Sequence, residues 1–231
     1  MKHNLLESQP IGQDATISSL ISDTVLKSHY RAMPMRLGVL ASGNGSNFQA
    51  IAEAIATRQL NASINVVIYN NREAGVAHRA GLLDIPARLI DHRDYSQRED
   101  LDHAIVAELH QHQVDWVIMA GWMRCVTTVL IHAFPGRILN IHPSLLPSFP
   151  GIRAVEQAID AKVAVTGCTV HEVVLEVDQG PIIMQAAVPV KPDDTVDTLH
   201  QRIHAQEHRI YPLAIALAHG RVQSSTLSEY S

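Results

Sequence analysis

Apolar and polar positions follow two different periods along this chain. From Arg36 onward, short apolar runs containing β-branched residues alternate with segments in which apolar side chains recur every three to four positions. The first pattern predicts strands and the second predicts amphipathic helices. The runs cover 37–41, 64–70, 87–90 and 115–120, and the helical segments cover 47–57, 73–82 and 98–110. This alternation predicts a parallel sheet with right-handed crossovers, whose ligands bind beyond the carboxyl ends of the strands.

The second half of the chain has a different pattern. Segments 166–174 and 181–190 alternate apolar and polar residues around Asp178-Gln179-Gly180, which predicts an antiparallel strand pair added to the sheet. Segment 195–218 predicts a long closing helix that ends at Gly220. The predicted fold class is α/β: a Rossmann-like, mostly parallel sheet flanked by helices, with an antiparallel carboxy-terminal pair and a long last helix.

The first 34 residues differ from the rest of the chain. Apolar residues with helical spacing lie between proline and glycine residues that interrupt helices, which allows at most one amphipathic helix. The spaced residues are Ile17, Leu20, Ile21 and Val25. We therefore expect residues 1–34 to be an extension, flexible or forming one helix, and residues 35–231 to form a single domain.

Composition narrows the class of protein. The 231 residues, 46% of them hydrophobic, suffice for one sizeable core. A formal net charge of -5, from 18 basic and 23 acidic side chains, argues against nucleic acid as a partner. Two cysteines without CxxC spacing fit a reducing compartment, and neither a secretory signal nor an apolar span of ~18 residues is found. These features predict a cytoplasmic protein that acts on small molecules and has no membrane association.

The run Asn140-Ile141-His142-Pro143 carries the most specific chemistry. In an extended segment residues i and i+2 face the same side, so Asn140 and His142 can converge on one substrate atom. With Asp178 further along the chain, they supply the amide donor, imidazole and carboxylate that a tetrahedral intermediate of acyl transfer needs. The alternatives are a structural histidine before a proline and an aspartate that serves only a hairpin turn.

A second motif comes directly after the first predicted strand. The segment 41–47, Ala-Ser-Gly-Asn-Gly-Ser-Asn, is a small-residue turn opening a helix, where backbone N–H groups and the helix dipole can face a phosphate. Neither the P-loop lysine nor the third glycine of a dinucleotide fingerprint is present, which favours a single phosphate monoester. A tight strand–helix turn capped by a serine is the alternative.

Four motifs together resemble one family. Gly43-Asn44-Gly45-Ser46-Asn47, Gly121-Trp122-Met123-Arg124, the run 140–147 and Asp178-Gln179-Gly180-Pro181 occur in the order found in the phosphoribosylglycinamide formyltransferase family, folate-dependent enzymes of purine synthesis. The resemblance covers residues 36 to about 222. It implies transfer of the formyl group of 10-formyltetrahydrofolate, as cosubstrate and without a metal, to the amine of N1-(5-phosphoribosyl)glycinamide, by a monomer or homodimer.

The resemblance also implies a set of site residues. Asn140, His142 and Asp178 match the catalytic residues of the family. The positions that match its ribonucleotide site are Gly45, Ser46, Asn47, His204, Ala205, Gln206 and Glu207. The positions that match its formylfolate site are Arg98, Met123, Arg124, Cys125, Val126, Asn140, Val174, Leu175, Glu176, Val177 and Asp178. The chain departs from the family at Arg153-Ala154-Val155, where members usually carry histidine and threonine.

Other interpretations stay open at this point. A 10-formyltetrahydrofolate hydrolase would use the same three residues with water as acceptor, and a methionyl-tRNA formyltransferase would need a basic carboxy-terminal domain. A non-catalytic folate- or phosphate-binding sensor would not need a proton donor. His200, His204 and His208 lie on one helical face, but this spacing exceeds what a single metal ion bridges, so no metal site is predicted.

Overall fold

A mixed sheet forms the centre of the structure. The computed structural model describes residues 33–228, so the helix expected near Ile17–Val25 lies outside the described residues. The strands are β1 (Met35–Ala41), β2 (Ala62–Tyr69), β3 (Ala87–Leu89), β4 (Trp116–Met119), β5 (Ile138–His142), β6 (Val165–Glu172) and β7 (Ile182–Pro189). Their order in the sheet is β3-β2-β1-β4-β5-β6-β7. Neighbours from β3 to β5 are parallel, whereas β6 pairs antiparallel with both β5 and β7. The predicted α/β fold and its antiparallel pair are confirmed.

Helices cover both faces of this sheet. They are α1 (Ser46–Ala56), α2 (Val76–Leu82), α3 (Arg98–Gln111), α4 (Thr128–Ala133), α5 (Ala154–Asp160) and α6 (Val196–Ser228). One core joins α1, α2, α5 and α6 to the sheet through residues such as Phe48, Val155 and Ile203. The other joins α3 and α4 to the opposite face through Ile105 and Leu130. Burial on both faces explains why the central strands are nearly continuous apolar runs.

The strand patterns match these positions in the sheet. In β1 every residue except Arg36 is buried, as expected for a strand covered on both faces. The edge strand β7 alternates buried and exposed residues from Met184 to Pro189, because one of its faces meets the core and the other meets solvent. The predicted strands agree with the observed ones to within a few residues.

The prediction that the last helix ends at Gly220 is wrong. Helix α6 continues through Gly220 to Ser228 instead of ending there. Among the described glycines, Gly45, Gly121, Gly136 and Gly151 have the positive φ of a terminating residue, and Gly220 does not. A glycine inside a helix costs only about 1 kcal/mol relative to alanine, so one glycine does not stop a helix whose preceding turns are packed on the core.

Helix α6 is fastened to the sheet where its parallel strands end. The buried Tyr211 hydroxyl donates a hydrogen bond that is shared between the carbonyl oxygens of Met119 and Leu139, each 3.1 Å away. These carbonyls belong to β4 and β5, in which Met119 pairs with Asn140. The contact holds one turn of α6, with Glu207 just before it, at the carboxyl ends of the central strands.

Candidate active site

Strand β5 presents two polar side chains at the carboxyl edge of the sheet. Asn140 is half-buried and His142 is the last residue of the strand, with Ile141 buried on the other face between them. Pro143 cannot donate a ladder hydrogen bond, and the chain leaves the sheet at this point. The i, i+2 spacing thus places the amide and the imidazole on the same face, as the sequence predicts.

Asp178 reaches these two residues from the loop between β6 and β7. Its backbone has a positive φ of 58°, and its Oδ2 accepts a hydrogen bond of 2.7 Å from the Gly151 N–H. The same oxygen lies 3.4 Å from Nδ1 of His142, and Oδ1 lies 3.6 Å from Nε2 of His171. The structure therefore brings the three predicted residues together and adds a second histidine to them.

His171 is the residue that sequence reasoning missed. It lies on β6 opposite Asn140, and its Nε2 is 3.2 Å from the Asn140 amide nitrogen. Its Nδ1 is 2.7 Å from the Glu172 carbonyl, which can only accept, so Nδ1 carries the proton and a neutral ring offers Nε2 as an acceptor. In the sequence, only the register of antiparallel pairing between the strand of Asn140 and the strand of His171 could have indicated this contact. We call Asn140, His142, His171 and Asp178 the β5–β6 cluster.

The second nitrogen of His142 is also occupied. Its Nε2 donates to the carbonyl oxygen of Phe149 at 2.8 Å, and a carbonyl can only accept. Phe149 itself has a positive φ of 56°, and the Ser144 hydroxyl donates to the neighbouring Ser148 carbonyl. An acceptor thus faces each ring nitrogen, the Phe149 carbonyl at Nε2 and the Asp178 carboxylate at Nδ1. This arrangement can hold an imidazolium, which donates from both nitrogens.

The electrostatics of Asp178 reflect this environment. Burial alone would raise the pKa of its carboxyl, but the contact with the His171 ring and the hydrogen bond from the Gly151 N–H together outweigh burial. The charge of His142 acts in the same direction, and the net result is a lowered pKa. Asp178 is therefore a carboxylate at neutral pH and able to hold a cationic ring.

The predicted phosphate loop opens α1 as expected from its sequence. Gly45 occupies the N-cap with a φ of 77°, and no side chain of the described residues caps the helix, so the alternative of a capping serine is wrong. A Cβ at Gly45 would lie 2.6 Å from a methyl carbon of Val76, which forbids a larger residue. The first N–H groups of α1 are left without helical partners, in the manner of an anion-binding turn.

A buried carboxylate from α6 contacts this turn. Glu207 is 3% exposed and accepts a 2.8 Å hydrogen bond from the amide nitrogen of Asn47, while Nε2 of His204 lies 3.7 Å away. Burial raises the pKa of Glu207, against the opposing effects of Asn47 and of the charges of His200 and His142. No described hydrogen bond or ion pair joins Ala205 or Gln206 to these residues. We call Gly45, Ser46, Asn47, His204 and Glu207 the α1–α6 cluster.

The two clusters are close enough to interact. His142 acts electrostatically on Glu207, although the two residues belong to different clusters. Asn47 also has a buried Oδ1 atom without a hydrogen-bond partner among the described residues. An unpaired acceptor of this kind suits a ligand that brings its own donor.

The residues expected to line a formylfolate site lie on two loops and at one helix end. Met123 to Val126 follow β4, where Met123 and Cys125 are exposed and Val126 is buried. Val174 to Asp178 form the loop that carries the carboxylate. Arg98 begins α3, and Asp102, four residues further along this helix, accepts a 2.6 Å hydrogen bond from the N–H of Thr127, the residue that follows the first loop. These positions share one edge of the sheet, and their role in binding stays a prediction.

The three spaced histidines of α6 form a ladder instead of a chelate. The ring centroids of His200 and His204 lie 4.0 Å apart, and those of His204 and His208 lie 6.0 Å apart. Burial lowers the pKa of each of these rings. Across residues 33–228, no set of three His, Cys, Asp or Glu side chains is arranged to hold a metal ion. No helix in the same range has the length and apolar character needed to cross a bilayer.

The arrangement has counterparts in known proteins. A sequence profile described as formyl transferase matches residues 35–215 of this chain. The chain belongs to the formyl transferase family. It is 42% identical over 180 residues to phosphoribosylglycinamide formyltransferase of Bacillus subtilis (strain 168), in an alignment covering 78% of this chain and 92% of that protein. The crystal structure of glycinamide ribonucleotide transformylase 1 from Symbiobacterium toebii matches with a TM-score of 0.80 and 48% identity, over 81% of this chain and 89% of that one.

Some relatives are much longer. The human trifunctional purine biosynthetic protein adenosine-3 is 42% identical over 223 residues, which is 95% of this chain and 22% of that protein. The chain therefore spans about a fifth of the length of the trifunctional relatives that it matches.

Proposed function

We propose that this formyl transferase moves the formyl group of 10-formyltetrahydrofolate to the amine of N1-(5-phosphoribosyl)glycinamide, a step of purine synthesis. One observation carries the proposal: a single carboxylate, Asp178, lies 3.4 Å from His142 and 3.6 Å from His171, while His171 contacts Asn140. The names of the shorter relatives give the same transferred group and the same acceptor, and they do not name the donor. The formyl donor and the acceptor amine belong to the proposal.

The reaction begins with attack of the amine nitrogen on the formyl carbon. Negative charge moves onto the formyl oxygen, and the Asn140 amide, held by its contact with His171, is placed to donate to that oxygen. One such donor is typically worth about 10²–10³ in rate. The same charge attracts the imidazolium form of His142, which Asp178 stabilises.

Collapse of the intermediate breaks the bond between the formyl carbon and N10 of the folate. His142 delivers a proton to N10 as it leaves, and the amine nitrogen gives up one proton as the amide forms, so no net proton is taken up or released. In the structure the proton on Nε2 is donated to Phe149. Delivery from that nitrogen requires this hydrogen bond to be exchanged for one to the substrate.

The α1–α6 cluster takes the ribonucleotide in this proposal. Its phosphate accepts hydrogen bonds from the first N–H groups of α1, and Glu207 and the unpaired Oδ1 of Asn47 accept from the hydroxyl or amine groups of the substrate. The loops 123–126 and 174–178 bind formylfolate in this proposal. The cytosolic location and the monomeric or homodimeric state stay predictions.

The test is a comparison of folate release with and without the amine. We expect purified protein to release tetrahydrofolate from 10-formyltetrahydrofolate only when glycinamide ribonucleotide is present, with one formylated amine formed per folate. Release of tetrahydrofolate at the same rate with and without glycinamide ribonucleotide would make the protein a hydrolase. Binding of both ligands without release would make it a sensor.

A further inference from the structure

A groove runs along α1 from the predicted phosphate loop. It begins at Ser46, the first residue of α1, and follows one face of that helix against α6, enclosing about 670 Å³. Its walls are formed by Ser46, Gln49, Ala50, Glu53, Ala54, Thr57, Gln59, Arg79, His208, Arg209, Pro212 and Leu213. None of the last five residues belongs to the predicted ribonucleotide site. The groove therefore extends that site toward side chains to which no role has been given.

Arg79 is the residue of this wall that is tied to the loop. Its Nε donates a 2.8 Å hydrogen bond to the Asn44 carbonyl, one residue before the N-cap glycine. Around this bond, the Val76 N–H donates to the Gly43 carbonyl, and Gly45 packs against Val76. The guanidinium is thus held at a fixed place relative to the first N–H groups of α1.

The rest of the Arg79 guanidinium is available to a ligand. Its two terminal nitrogens make no hydrogen bond to any of the described residues, and the side chain is only half-buried. A guanidinium is planar, and a hydrogen bond at Nε fixes the direction in which its terminal N–H groups point, so that they can pair with two oxygens of a phosphate. The anchoring bond removes part of the ordering cost of such a contact.

The charges along the groove favour an anion. Arg79 and Arg209 each contribute a positive charge, and Glu53 contributes one negative charge further along α1. His208 stands beside them as a neutral ring near pH 7, since burial and the neighbouring His204 lower its pKa. The part nearest Ser46 therefore combines a cation with backbone N–H groups that have no partner within the helix.

We infer that Arg79 binds the phosphate of the ribonucleotide substrate, facing the N–H groups of α1 from the opposite side of the groove. This inference rests on the proposed function, because it takes that ribonucleotide as the ligand of the loop. Arg79 is accordingly a binding residue for the phosphate and takes no part in the formyl transfer, which occurs at the β5–β6 cluster.

The test measures both substrates in Arg79→Gln and Arg79→Lys. We expect Arg79→Gln to raise KM for glycinamide ribonucleotide about 10- to 100-fold, the usual loss for one hydrogen bond to a charged group. The KM for formylfolate and kcat stay unchanged. Arg79→Lys recovers part of the loss, because an ammonium keeps the charge but lacks the planar fork. Arg137→Gln is the matched control, since Arg137 is an exposed arginine just before β5, at the other edge of the sheet.

A substrate without phosphate distinguishes a direct contact between Arg79 and the phosphate from an indirect effect of Arg79 on the structure of the loop. With glycinamide ribonucleoside, the inference predicts the same kcat/KM for Arg79→Gln and the wild type. An equal loss with both substrates would overturn the inference, because Arg79 would then act only by holding the loop through Asn44. An unchanged KM for the ribonucleotide would overturn it as well, while leaving the proposed function intact.

Direct binding keeps the two proposals distinguishable. If the wild type shows no formyl transfer, the proposed function fails, and ribose 5-phosphate titrated into both proteins and followed by ³¹P NMR still tests the arginine. Weaker binding to Arg79→Gln than to the wild type and Arg137→Gln supports a phosphate contact. Equal affinities in all three proteins contradict it.

Discussion

The two clusters of this site are built in different ways. The α1–α6 cluster takes its anion-binding donors from the backbone of one contiguous turn, whose shape depends on Gly45. The β5–β6 cluster takes its chemistry from side chains of three separate segments, which the pairing of β5 with β6 and the Asp178 loop bring together. The function of the α1–α6 cluster should therefore be sensitive to changes in backbone conformation. The function of the β5–β6 cluster should be sensitive to substitutions that replace a functional group and keep the shape of the side chain.

The largest effect is expected at His142. Replacing it by alanine removes both the proton donor and the cation beside the developing oxyanion, so we expect kcat to fall about 10²- to 10⁴-fold, the range for general acid catalysis. The KM for glycinamide ribonucleotide should stay near its wild-type value, because the phosphate end lies in the other cluster. Steady-state kinetics measure both constants. A loss confined to KM would contradict the separation of the two clusters.

The backbone origin of the α1–α6 cluster is tested at Gly45. Alanine there has to adopt a φ of 77° with its Cβ 2.6 Å from Val76. We expect a loss of about 1–3 kcal/mol in the free energy of unfolding and a raised KM for the ribonucleotide, with little change in KM for formylfolate. Gly43→Ala is the control, because nothing lies within 4 Å of a Cβ there. Urea unfolding that gave the same stability for both variants would disprove the requirement for glycine.

A smaller effect is expected at His171, which acts through Asn140. In His171→Phe the ring volume is kept and the acceptor for the Asn140 amide is lost, so kcat should fall about 2- to 12-fold, the equivalent of one ordinary hydrogen bond. His171→Gln, which retains an acceptor, should recover part of kcat. The order of kcat among wild type, Gln and Phe is the readout. If the Gln variant were no better than the Phe variant, the contact would not position Asn140.

The smallest effect is the dependence of stability on pH, which has opposite signs in the two clusters. The pKa of Asp178 is lowered, so its contribution is complete above its ordinary value of 3.8 and is lost as pH falls through the folded value. The pKa of Glu207 is raised, so its contribution is complete below the ordinary 4.5 and is lost as pH rises through the folded value.

The measurement for this prediction is the free energy of unfolding in urea, determined for three proteins at several pH values between about pH 3 and pH 7. Compared with the wild type, Asp178→Asn should show a shallower rise of stability from the acid side. Glu207→Gln should remove a decline toward neutral pH. Equal slopes in all three proteins would mean that neither carboxylate is perturbed as the structure indicates.

Much of this architecture can be predicted from the sequence, because periodicity reports which face of each element is buried. The continuous apolar runs identify the central strands, and the i, i+2 spacing places Asn140 and His142 on one face. His171 cannot be found in this way, because its role depends on the register between β5 and β6. The helix end at Gly220 fails for a related reason: tertiary packing overrides a weak local signal.

The central claim is that His142 and Asp178 act as one unit, and a double-mutant cycle on kcat tests it most directly. If the single variants His142→Ala and Asp178→Asn each reduce kcat, we predict that the double variant is about as slow as His142→Ala alone, because the carboxylate has no ring left to hold. A double variant whose loss equals the product of the two single losses would show that the two residues act independently and would contradict the claim.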